Sequence, residues 1–366
     1  MLFLWFLFLL LTPLYLFPSG LPQIADLLMV GLCAGVALGG RIRIPRSARV
    51  LIVAAFAFVS YTVVVNASWA LAIGDPGMLM PSIYYFYNAL AMGVALQLRA
   101  TYSERFWKAT FWGLMGAFLY LVFLSLGSTP GRFMGTFNNP NQLGYFALLG
   151  TIILYIVLEK IGRSSAYKVV ALAMGSYLSA MSLSRAAIGA MALMIGIVVV
   201  VGLWERERFK TAVGIMIVGA LLFQFAQSSA LVQRVENRFA VSKGDESLEG
   251  RGYDRIARFP SMIVLGAGEG GLERFADNGR MMEIHSTPGT VLFSYGIPGS
   301  LLFIALLSAS VLRTTVHYAV LLVPVLFYGL THQGLRVTLL WILLAIMPTE
   351  AREYKTLSPQ LRVTVT

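Results

Sequence analysis

The chain has 366 residues, of which 58% are hydrophobic and only 12% are charged. Soluble domains carry about twice that share of charged residues, so the composition excludes a soluble globular protein and predicts an all-α, polytopic bundle of membrane helices. The net charge is +11, but the basic residues lie in short loops between apolar runs and form no DNA- or RNA-binding motif, which excludes a nucleic-acid partner. The single cysteine, Cys33, excludes a disulfide framework and a cysteine-based metal site.

Apolar runs that can cross a membrane follow one another along almost the whole chain. A helix needs about 17–25 predominantly apolar residues to cross the hydrocarbon core. Twelve candidate spans lie at residues 1–17, 24–40, 50–68, 78–98, 107–127, 142–158, 166–182, 186–203, 211–230, 286–312, 317–330 and 335–348. The pattern also allows eleven spans. The first run has no basic segment before it and no small-residue cleavage site after it, so we interpret it as a retained helix. We predict a single membrane domain over residues 1–366.

One apolar stretch is too long for a single helix. Residues 166–203 are apolar apart from Lys168 and Arg185, and as one helix they would be about 57 Å long. The hydrocarbon core is only about 30 Å thick. We therefore predict a break at Ser182-Leu-Ser-Arg185, which places Arg185 in a tight turn between two helices.

Predicted loops that are rich in basic residues alternate along the chain with loops that contain almost none. The basic loops are those at residues 41–49, 99–108, 159–168 and 204–210, joined by Arg313 and the C-terminal tail. Basic loops stay in the cytoplasm, so both termini are predicted to be cytoplasmic. The short loops on the outer side carry almost no lysine or arginine, and Arg132, Arg185 and Arg336 are the exceptions.

Residues 231–285 form the long polar segment of the chain, which we predict to be a large outer loop. The part at 253–260 suits a short helix. The run Gly266-Ala-Gly-Glu-Gly-Gly271 lacks the Gly-Lys-Ser/Thr ending of an ATP-binding loop, so a turn-rich loop is the better interpretation.

Arginines at the outer ends of membrane helices are candidate functional residues, because charge is costly there. The candidates are Arg132, Arg185, Arg251 and Arg336. Arg185 stands out, since its neighbours Ser184 and Ala186 are small and allow close helix packing that turns the guanidinium inward. For the other three, side chains that reach phospholipid headgroups are an alternative. Guanidinium suits phosphate because its planar fork donates two hydrogen bonds at once.

Two further motifs carry polar side chains at predicted helix ends. Asn138-Asn-Pro-Asn141 can cap the next helix, but three asparagines exceed what one cap needs, and a helix N-terminus favours anions. His285 can be a loop histidine with satisfied hydrogen bonds, a group that positions a ligand, or a general base. His332, in the turn before Arg336, is a second candidate.

Several common sites have no signal in this chain. There is no Asp-x-Asp of a metal-dependent glycosyltransferase and no Gly-x-Ser-x-Gly of a serine hydrolase. We therefore predict no cofactor and no bound metal. Acids within the predicted spans are scarce, with Asp26 as the main one, which counts against a proton-relay transporter.

Six polar motifs follow one another in a defined order over about residues 130–345. They are Arg132…Asn138-Asn-Pro-Asn141, Ser182-Leu-Ser-Arg185, Gly250-Arg-Gly-Tyr253, Leu265-Gly-Ala-Gly268, His285-Ser…Tyr295-Gly-Ile-Pro-Gly299 and Thr331-His-Gln…Arg336, with Trp341 near the end. This ordered set, with its long polar segment before the histidine, resembles the superfamily of O-antigen ligases and Wzy-type polysaccharide polymerases. The five N-terminal spans match that superfamily only in being apolar.

The resemblance implies a membrane glycosyltransferase of the bacterial inner membrane with its active site facing the periplasm. The donor would be an undecaprenyl-pyrophosphate-linked oligosaccharide, and membrane lipids, a chain-length regulator or a lipid A–core acceptor would be further partners. Polymerases join lipid-linked repeat units, whereas ligases move the glycan to lipid A–core. Family members often read His-Asn where this chain reads His285-Ser286, and polymerases vary more at this motif, so we favour a polymerase.

For this reaction we assign catalytic roles to Arg132, Arg185 and His285. The arginines would offset the charge on the leaving pyrophosphate, and His285 would accept the proton of the attacking hydroxyl or orient that hydroxyl. Attack from the opposite face would invert the anomeric centre. The substrate-binding candidates are Arg251, Asn138, Asn141, Tyr253, Arg255, Arg336 and His332.

Two other classes of function use the same features. A flippase or transporter of lipid-linked glycan would bind the same anionic lipid, but it would change the lipid's side and form no glycosidic bond. A non-catalytic membrane scaffold is the third class, and the outer arginines count against it.

Overall fold

A computed structural model describes residues 1–17, 22–39, 43–128, 131–226, 229–240, 251–275 and 283–348. The regular elements within these ranges are all helices. The α-helices are α1 (Leu2–Leu11), α2 (Ile24–Leu38), α3 (Arg49–Ile73), α4 (Met80–Tyr102), α5 (Glu104–Leu126), α6 (Pro140–Lys160), α7 (Ser165–Ser182), α8 (Arg185–Trp204), α9 (Arg206–Ala226), α10 (Ala230–Ala240), α11 (Asp254–Arg258), α12 (Met262–Leu265), α13 (Thr287–Val311), α14 (Val316–Ala319), α15 (Leu322–Gly329) and α16 (Thr338–Ile346). The C-terminal tail, predicted to be cytoplasmic, lies outside the described residues.

The chain divides into two compact units. The first contains Met1–Arg41, Thr101–Glu246 and Val320–His332, and the second contains Ile42–Ala100, Ser247–Ala319 and Gln333–Thr366. The predicted long loop at 231–285 therefore contributes its beginning to the first unit and the rest to the second. Its stretches 241–250 and 276–282 lie outside the described residues.

Helix α6 is the core of the first unit. Every residue from Leu143 to Leu158 is buried, and α6 packs against α5, α7 and α8. A helix that is apolar on all sides is stable only when neighbours cover it all round, and this sequence meets that condition. Gly144 lets α8 approach closely, because a Cβ there would lie 2.5 Å from the Cβ of Ala187.

The predicted break in residues 166–203 is confirmed. Helix α7 ends at Ser182 and α8 begins at Arg185. Leu183 takes a left-handed backbone conformation with a φ of +49°, which is uncommon for a residue with a side chain. Arg185 is thus the first residue of α8 and directly follows the two-residue turn between the helices, as predicted.

In the second unit, α13 packs against α3 and carries a kink. Gly296 has a φ of +66°, outside the helical region, and Pro298 follows inside the same helix. Proline has no N–H, so Pro298 leaves the carbonyl of Ser294 without its helical donor. That carbonyl accepts the N–H of Gly268 at 2.9 Å. The kink therefore provides the docking point for the glycine-rich segment.

Among the described residues, six helical stretches are long and apolar enough to cross a membrane. They are Arg46–Ile73, Pro76–Tyr102, Glu104–Leu126, Pro140–Lys160, Arg185–Trp204 and Thr287–Val311. Leu2–Leu11, Ile24–Leu38 and Val316–Gly329 are shorter apolar helices. The chain is therefore a helical multi-pass membrane protein. The predicted span at 335–348 forms the 9-residue helix α16, which is about 14 Å long. This length is less than the thickness of a hydrocarbon core, which is about 30 Å. The number of spans stays a prediction.

Two smaller predictions inside the long polar segment are confirmed. The stretch 253–260 contains the short helix α11. Glycines 266, 268, 270 and 271 all have positive φ angles, so the glycine-rich run is a series of turns that other residues rarely adopt.

Candidate functional site

Arg132 lies in the loop between α5 and α6 and reaches the turn between α7 and α8. Its Nε donates to the carbonyl of Ser182 at 3.3 Å, and its Nη2 donates to the Oδ1 of Asn141 at 2.9 Å. Ser182 is the last residue of α7. Two motifs that are 40 residues apart in sequence, the asparagine motif and the Ser-Leu-Ser-Arg turn, are therefore adjacent in the first unit.

Arg185 is half-buried and points toward α10. Its Nε donates to the backbone carbonyl of Arg238 at 2.6 Å. Arg234, one turn earlier on α10, donates from Nη1 to the carbonyl of Gly131 at 3.4 Å. These contacts gather Arg132, Arg185, Arg234 and Arg238, which we name the arginine cluster.

The electrostatics of the arginine cluster are unfavourable in the absence of a ligand. Partial burial of the guanidinium, together with the positive charge of Arg238, lowers the pKa of Arg132, and the Tyr328 side chain only partly offsets this. The Nε of Arg238 is buried and has no hydrogen-bond partner. Within the described ranges, Arg132, Arg234 and Arg238 form no ion pair with a carboxylate. Neighbouring cations without a counter-ion destabilise one another, so a bound anion would relieve this repulsion.

The asparagine motif caps α6, as predicted, and it also contacts Arg132. Asn139 is the N-cap of α6, and its Oδ1 accepts the N–H of Gln142 at 3.0 Å, while Pro140 occupies the first helical position. Asn141 holds Arg132. Asn138 is exposed, and its backbone N–H donates to the Oε1 of Gln142. The cap accounts for one asparagine, and Asn141 positions a member of the arginine cluster.

His332 belongs to the same unit and stands in an aromatic stack. Its ring lies 4.7 Å from the ring of Tyr328, which in turn stacks on Tyr145 at 4.3 Å. The Tyr328 hydroxyl donates to the carbonyl of Asn141 at 3.0 Å. The stack therefore connects His332 to the residue that holds Arg132.

In the second unit, Arg251 and His285 are neighbours through their backbones. The N–H of His285 donates to the carbonyl of Arg251 at 3.0 Å. Gly252, with a φ of +73°, packs against Ile284, and a Cβ there would lie 3.4 Å from the Ile284 Cα. His285 is exposed, and its ring makes no hydrogen bond to a described residue. A joint role of Arg132, Arg185, Arg251 and His285 stays a prediction.

Ser286, the residue that departs from the family pattern, has a clear local role. It is the N-cap of α13, and its Oγ accepts the N–H of Gly289 at 3.1 Å. The hydroxyl of Tyr253 lies 2.5 Å from the same Oγ. Asparagine and serine are equally favourable N-caps, so the serine preserves the helix start.

The guanidinium of Arg336 forms ion pairs with two carboxylates. Its Nε and Nη2 donate to the Oε1 of Glu269 at 3.0 and 2.5 Å, and Nη2 also donates to Glu283 at 3.0 Å. Burial works to lower the pKa of Arg336, but the charge of Glu269 outweighs it and raises that pKa above its ordinary value. The charge of Arg336 is thus balanced by these two carboxylates, and its role in substrate binding stays a prediction.

Glu269 is the hub of this network and is only 4% exposed. Its Oε2 accepts the hydroxyls of Tyr85 and Tyr295 at 2.6 and 2.7 Å, and its N–H donates to Asn66 at 2.8 Å. Both carboxylate oxygens are thus saturated. The network holds the glycine-rich segment against α3, α4 and α13.

A small cleft lies beside this network. Its walls contain Arg255, Glu269, Glu283, Thr290, Ser294 and glycines of the glycine-rich segment. Arg255 is only 6% exposed, and its guanidinium makes no hydrogen bond to a described residue. Burial lowers the pKa of Arg255, and the charges of Asp254 and Glu283 work in the opposite direction.

Sequence reasoning missed Arg234, Arg238, Glu269 and Glu283. A charged residue among glycines, as at Glu269, was one available signal. The spacing of Arg234 and Arg238 by four residues, on one face of the amphipathic helix α10, was another. Among the described residues, no three His, Cys, Asp or Glu side chains are grouped so that they could hold a metal ion.

Comparison of the chain with models of known protein families returns no match, and comparison with curated protein sequences returns none either. The superfamily resemblance therefore stays a prediction from the ordered motifs.

Proposed function

We propose that this protein is a membrane glycosyltransferase that uses a glycan linked to a lipid pyrophosphate, and that it polymerises such glycans. The observation that carries the proposal is the arginine cluster. Among the described residues, Arg132, Arg234 and Arg238 have no carboxylate partner, and the buried Nε of Arg238 has no hydrogen bond. A site of this kind is built for an anion.

The donors in the arginine cluster suit phosphate. A guanidinium has five N–H donors, and the contacts of Arg132 use its Nε and Nη2 only. Asn141 fixes the orientation of Arg132, and the N-terminus of α6 adds a favourable dipole. Pyrophosphate carries several negative oxygens and can accept from more than one arginine at once.

The membrane helices support a lipid-borne substrate. An anion attached to a polyprenyl tail stays in the bilayer, where spans such as Glu104–Leu126 and Pro140–Lys160 flank the Arg132 loop. The basic loops predicted at the opposite helix ends support a site on the outer face with both termini in the cytoplasm. A bacterial inner membrane is the location that the resemblance implies.

The proposed reaction forms one glycosidic bond and breaks one. A hydroxyl of the acceptor attacks the anomeric carbon of the donor sugar, and the bond from that carbon to the pyrophosphate oxygen breaks. The electron pair leaves with the pyrophosphate, whose growing charge the cluster arginines Arg132 and Arg185 stabilise. The hydroxyl proton passes to a base, for which His285 is our candidate. Attack from the face opposite the leaving group inverts the anomeric centre.

The test is a reconstituted reaction. Purified protein in liposomes receives lipid-linked repeat units extracted from the native host, with and without lipid A–core, and with a chelator in a parallel sample. A ladder of longer lipid-linked glycans in the absence of lipid A–core supports the polymerase. Product that needs lipid A–core identifies a ligase, which is the second candidate because Ser286 preserves the capped helix start. Movement of the lipid across the bilayer without a new bond would overturn the proposal in favour of a flippase.

A further inference from the structure

We propose that Tyr253 is a positioning residue for His285 and that it acts through Ser286. This inference rests on the proposed function, in which His285 is the candidate base for the proton of the attacking hydroxyl. It deepens that function, because it identifies a contact that keeps the candidate base in one place. All three residues belong to the second unit.

The first argument is that His285 is exposed between two buried neighbours. Ile284 is 5% exposed, and its side chain packs in a small core with Phe275 and Phe293. The carbonyl of Ile284 also accepts a hydrogen bond from the hydroxyl of Thr290 at 3.0 Å. On the other side of His285, Ser286 is fully buried. The exposed ring therefore projects from a backbone that is held both before and after it.

The second argument is the way in which the segment 251–253 docks beside His285. The N–H of His285 donates to the carbonyl of Arg251 at 3.0 Å. The hydroxyl of Tyr253 donates to the Oγ of Ser286 at 2.5 Å. A segment that is held by one hydrogen bond can pivot about that bond, and a second bond at the next residue removes this freedom. The Tyr253 hydroxyl therefore fixes the backbone of His285 against the segment that carries Arg251.

The third argument is that the start of α13 has its own support, so loss of the Tyr253 hydroxyl should leave the fold intact. The Oγ of Ser286 also accepts the N–H of Gly289 at 3.1 Å, and its carbonyl accepts the N–H of Thr290 at 2.9 Å. These bonds cap the helix without Tyr253. The bond from Tyr253 adds a link from the start of α13 to the residue before α11. Its removal should therefore affect the placement of His285 more than the stability of the protein.

Placement matters for the rate because a base must lie within hydrogen-bond reach of the proton that it accepts. A misplacement of about 1 Å can cost about 100-fold in rate. The side chain of His285 is exposed, so the contacts of its backbone and of its neighbours must hold it. A change at Tyr253 should therefore lower kcat and leave the affinity for the lipid-linked donor as it is.

The first experiment is a double-mutant cycle in the reconstituted reaction. It measures kcat and the KM for the lipid-linked donor in the wild type, in Tyr253→Phe, in His285→Ala and in the double variant. Tyr253→Phe removes one oxygen atom and keeps the aromatic ring. The matched control is Tyr61→Phe, which removes another hydroxyl of the same unit, one that donates to the carbonyl of Leu265 at 2.9 Å.

We expect Tyr253→Phe to lower kcat about tenfold with an unchanged KM, and Tyr61→Phe to behave like the wild type. In the His285→Ala background, Tyr253→Phe should cause no further loss, because a positioning residue acts only through the residue that it positions. An equal loss in both backgrounds would overturn the inference, and so would a wild-type kcat in Tyr253→Phe. Full activity of His285→Ala would overturn it as well, while glycosyl transfer itself would stand.

The second experiment needs no turnover, so it separates this inference from the proposed function. Cys33 is the single cysteine of the chain, so a protein with Cys33→Ser and His285→Cys carries one nitroxide spin label, at position 285. In lipid nanodiscs, the electron paramagnetic resonance spectrum should show a more mobile label when Tyr253→Phe is added and no change when Tyr61→Phe is added. An unchanged spectrum with Tyr253→Phe would overturn the inference. A more mobile label in a protein that forms no glycosidic bond would remove the proposed function and leave the role of Tyr253 at position 285 in place.

Discussion

The two ends of the helix pair α6 and α7 treat positive charge in opposite ways. At one end, Glu159 accepts from Lys168 at 3.0 Å and from the Nε of Arg208 at 2.9 Å, and Arg208 also pairs with Glu205. The positive charges of Lys168 and Arg208 are matched there by Glu159 and Glu205. At the other end, Arg132, Arg185 and Arg234 of the arginine cluster donate to backbone carbonyls and to the side chain of Asn141.

This difference separates two settings of positive charge within one unit. Buried cations that serve the fold are paired, because an unpaired charge in a low-dielectric interior costs several kcal/mol or more. Arginines that are held by backbone carbonyls keep their positive charge open to an anion, which is the basis of the proposed function. Arginine therefore occurs in both settings, and the partners of its side chain distinguish the two.

The largest expected effect is at the paired end. Glu159→Gln should lower the free energy of unfolding by about 3 kcal/mol, because it leaves Lys168 and Arg208 partly buried without their carboxylate. Denaturant unfolding in detergent micelles measures this. Glu104→Gln is the matched control, since Glu104 forms an exposed pair with Lys108 whose loss should change stability little. Equal stability of the two variants would contradict the assignment of the Glu159 network as structural.

The second effect is on turnover at the end that holds the arginine cluster. Arg185→Ala should reduce the rate of glycan extension by about 100- to 1,000-fold, the usual cost of removing one donor that stabilises a developing negative charge. The Arg185→Ala variant should insert into the membrane like the wild type and have the same free energy of unfolding. The control is Arg163→Ala, an exposed arginine at the paired end. Full activity of Arg185→Ala would remove Arg185 from the site.

A smaller effect is expected on anion affinity. Arg238→Gln should weaken binding of inorganic pyrophosphate by about tenfold, which corresponds to about 1.4 kcal/mol and to the loss of one charge-assisted hydrogen bond. Titration calorimetry at several salt concentrations measures the affinity and should show a weaker salt dependence in the variant. Arg105→Gln, an exposed arginine of the same unit, should bind like the wild type. If both variants bind equally, Arg238 is not part of the anion site.

The smallest effect has the opposite sign. Arg132→Gln should stabilise the ligand-free protein by about 0.5 kcal/mol, because it removes a partly buried guanidinium that also meets the positive charge of Arg238, and both lower the pKa of Arg132. Pyrophosphate should then raise the melting temperature of the wild type more than that of the variant, since a ligand stabilises the state that binds it. A destabilised ligand-free Arg132→Gln would show that the contacts of Arg132 with Ser182 and Asn141 outweigh this repulsion.

The sequence by itself determined the local features of this protein. Apolar length predicted the helices, and the limit set by membrane thickness predicted the break between Ser182 and Arg185. Turn and cap chemistry predicted the glycine turns and the capped start of α6, because these depend on residues within a few positions of one another.

Only the tertiary structure decided which charges are paired. Arg336 and Arg132 look alike in sequence, yet Glu269 and Glu283 balance the first, while the second meets another arginine. The helical kink at Gly296, which receives the glycine-rich segment, is also a contact between distant residues. The physical reason is the same in each case. The energy of a charge or of a free carbonyl depends on the groups within a few ångströms of it, and the separation of two residues in the sequence does not determine whether they are that close in space.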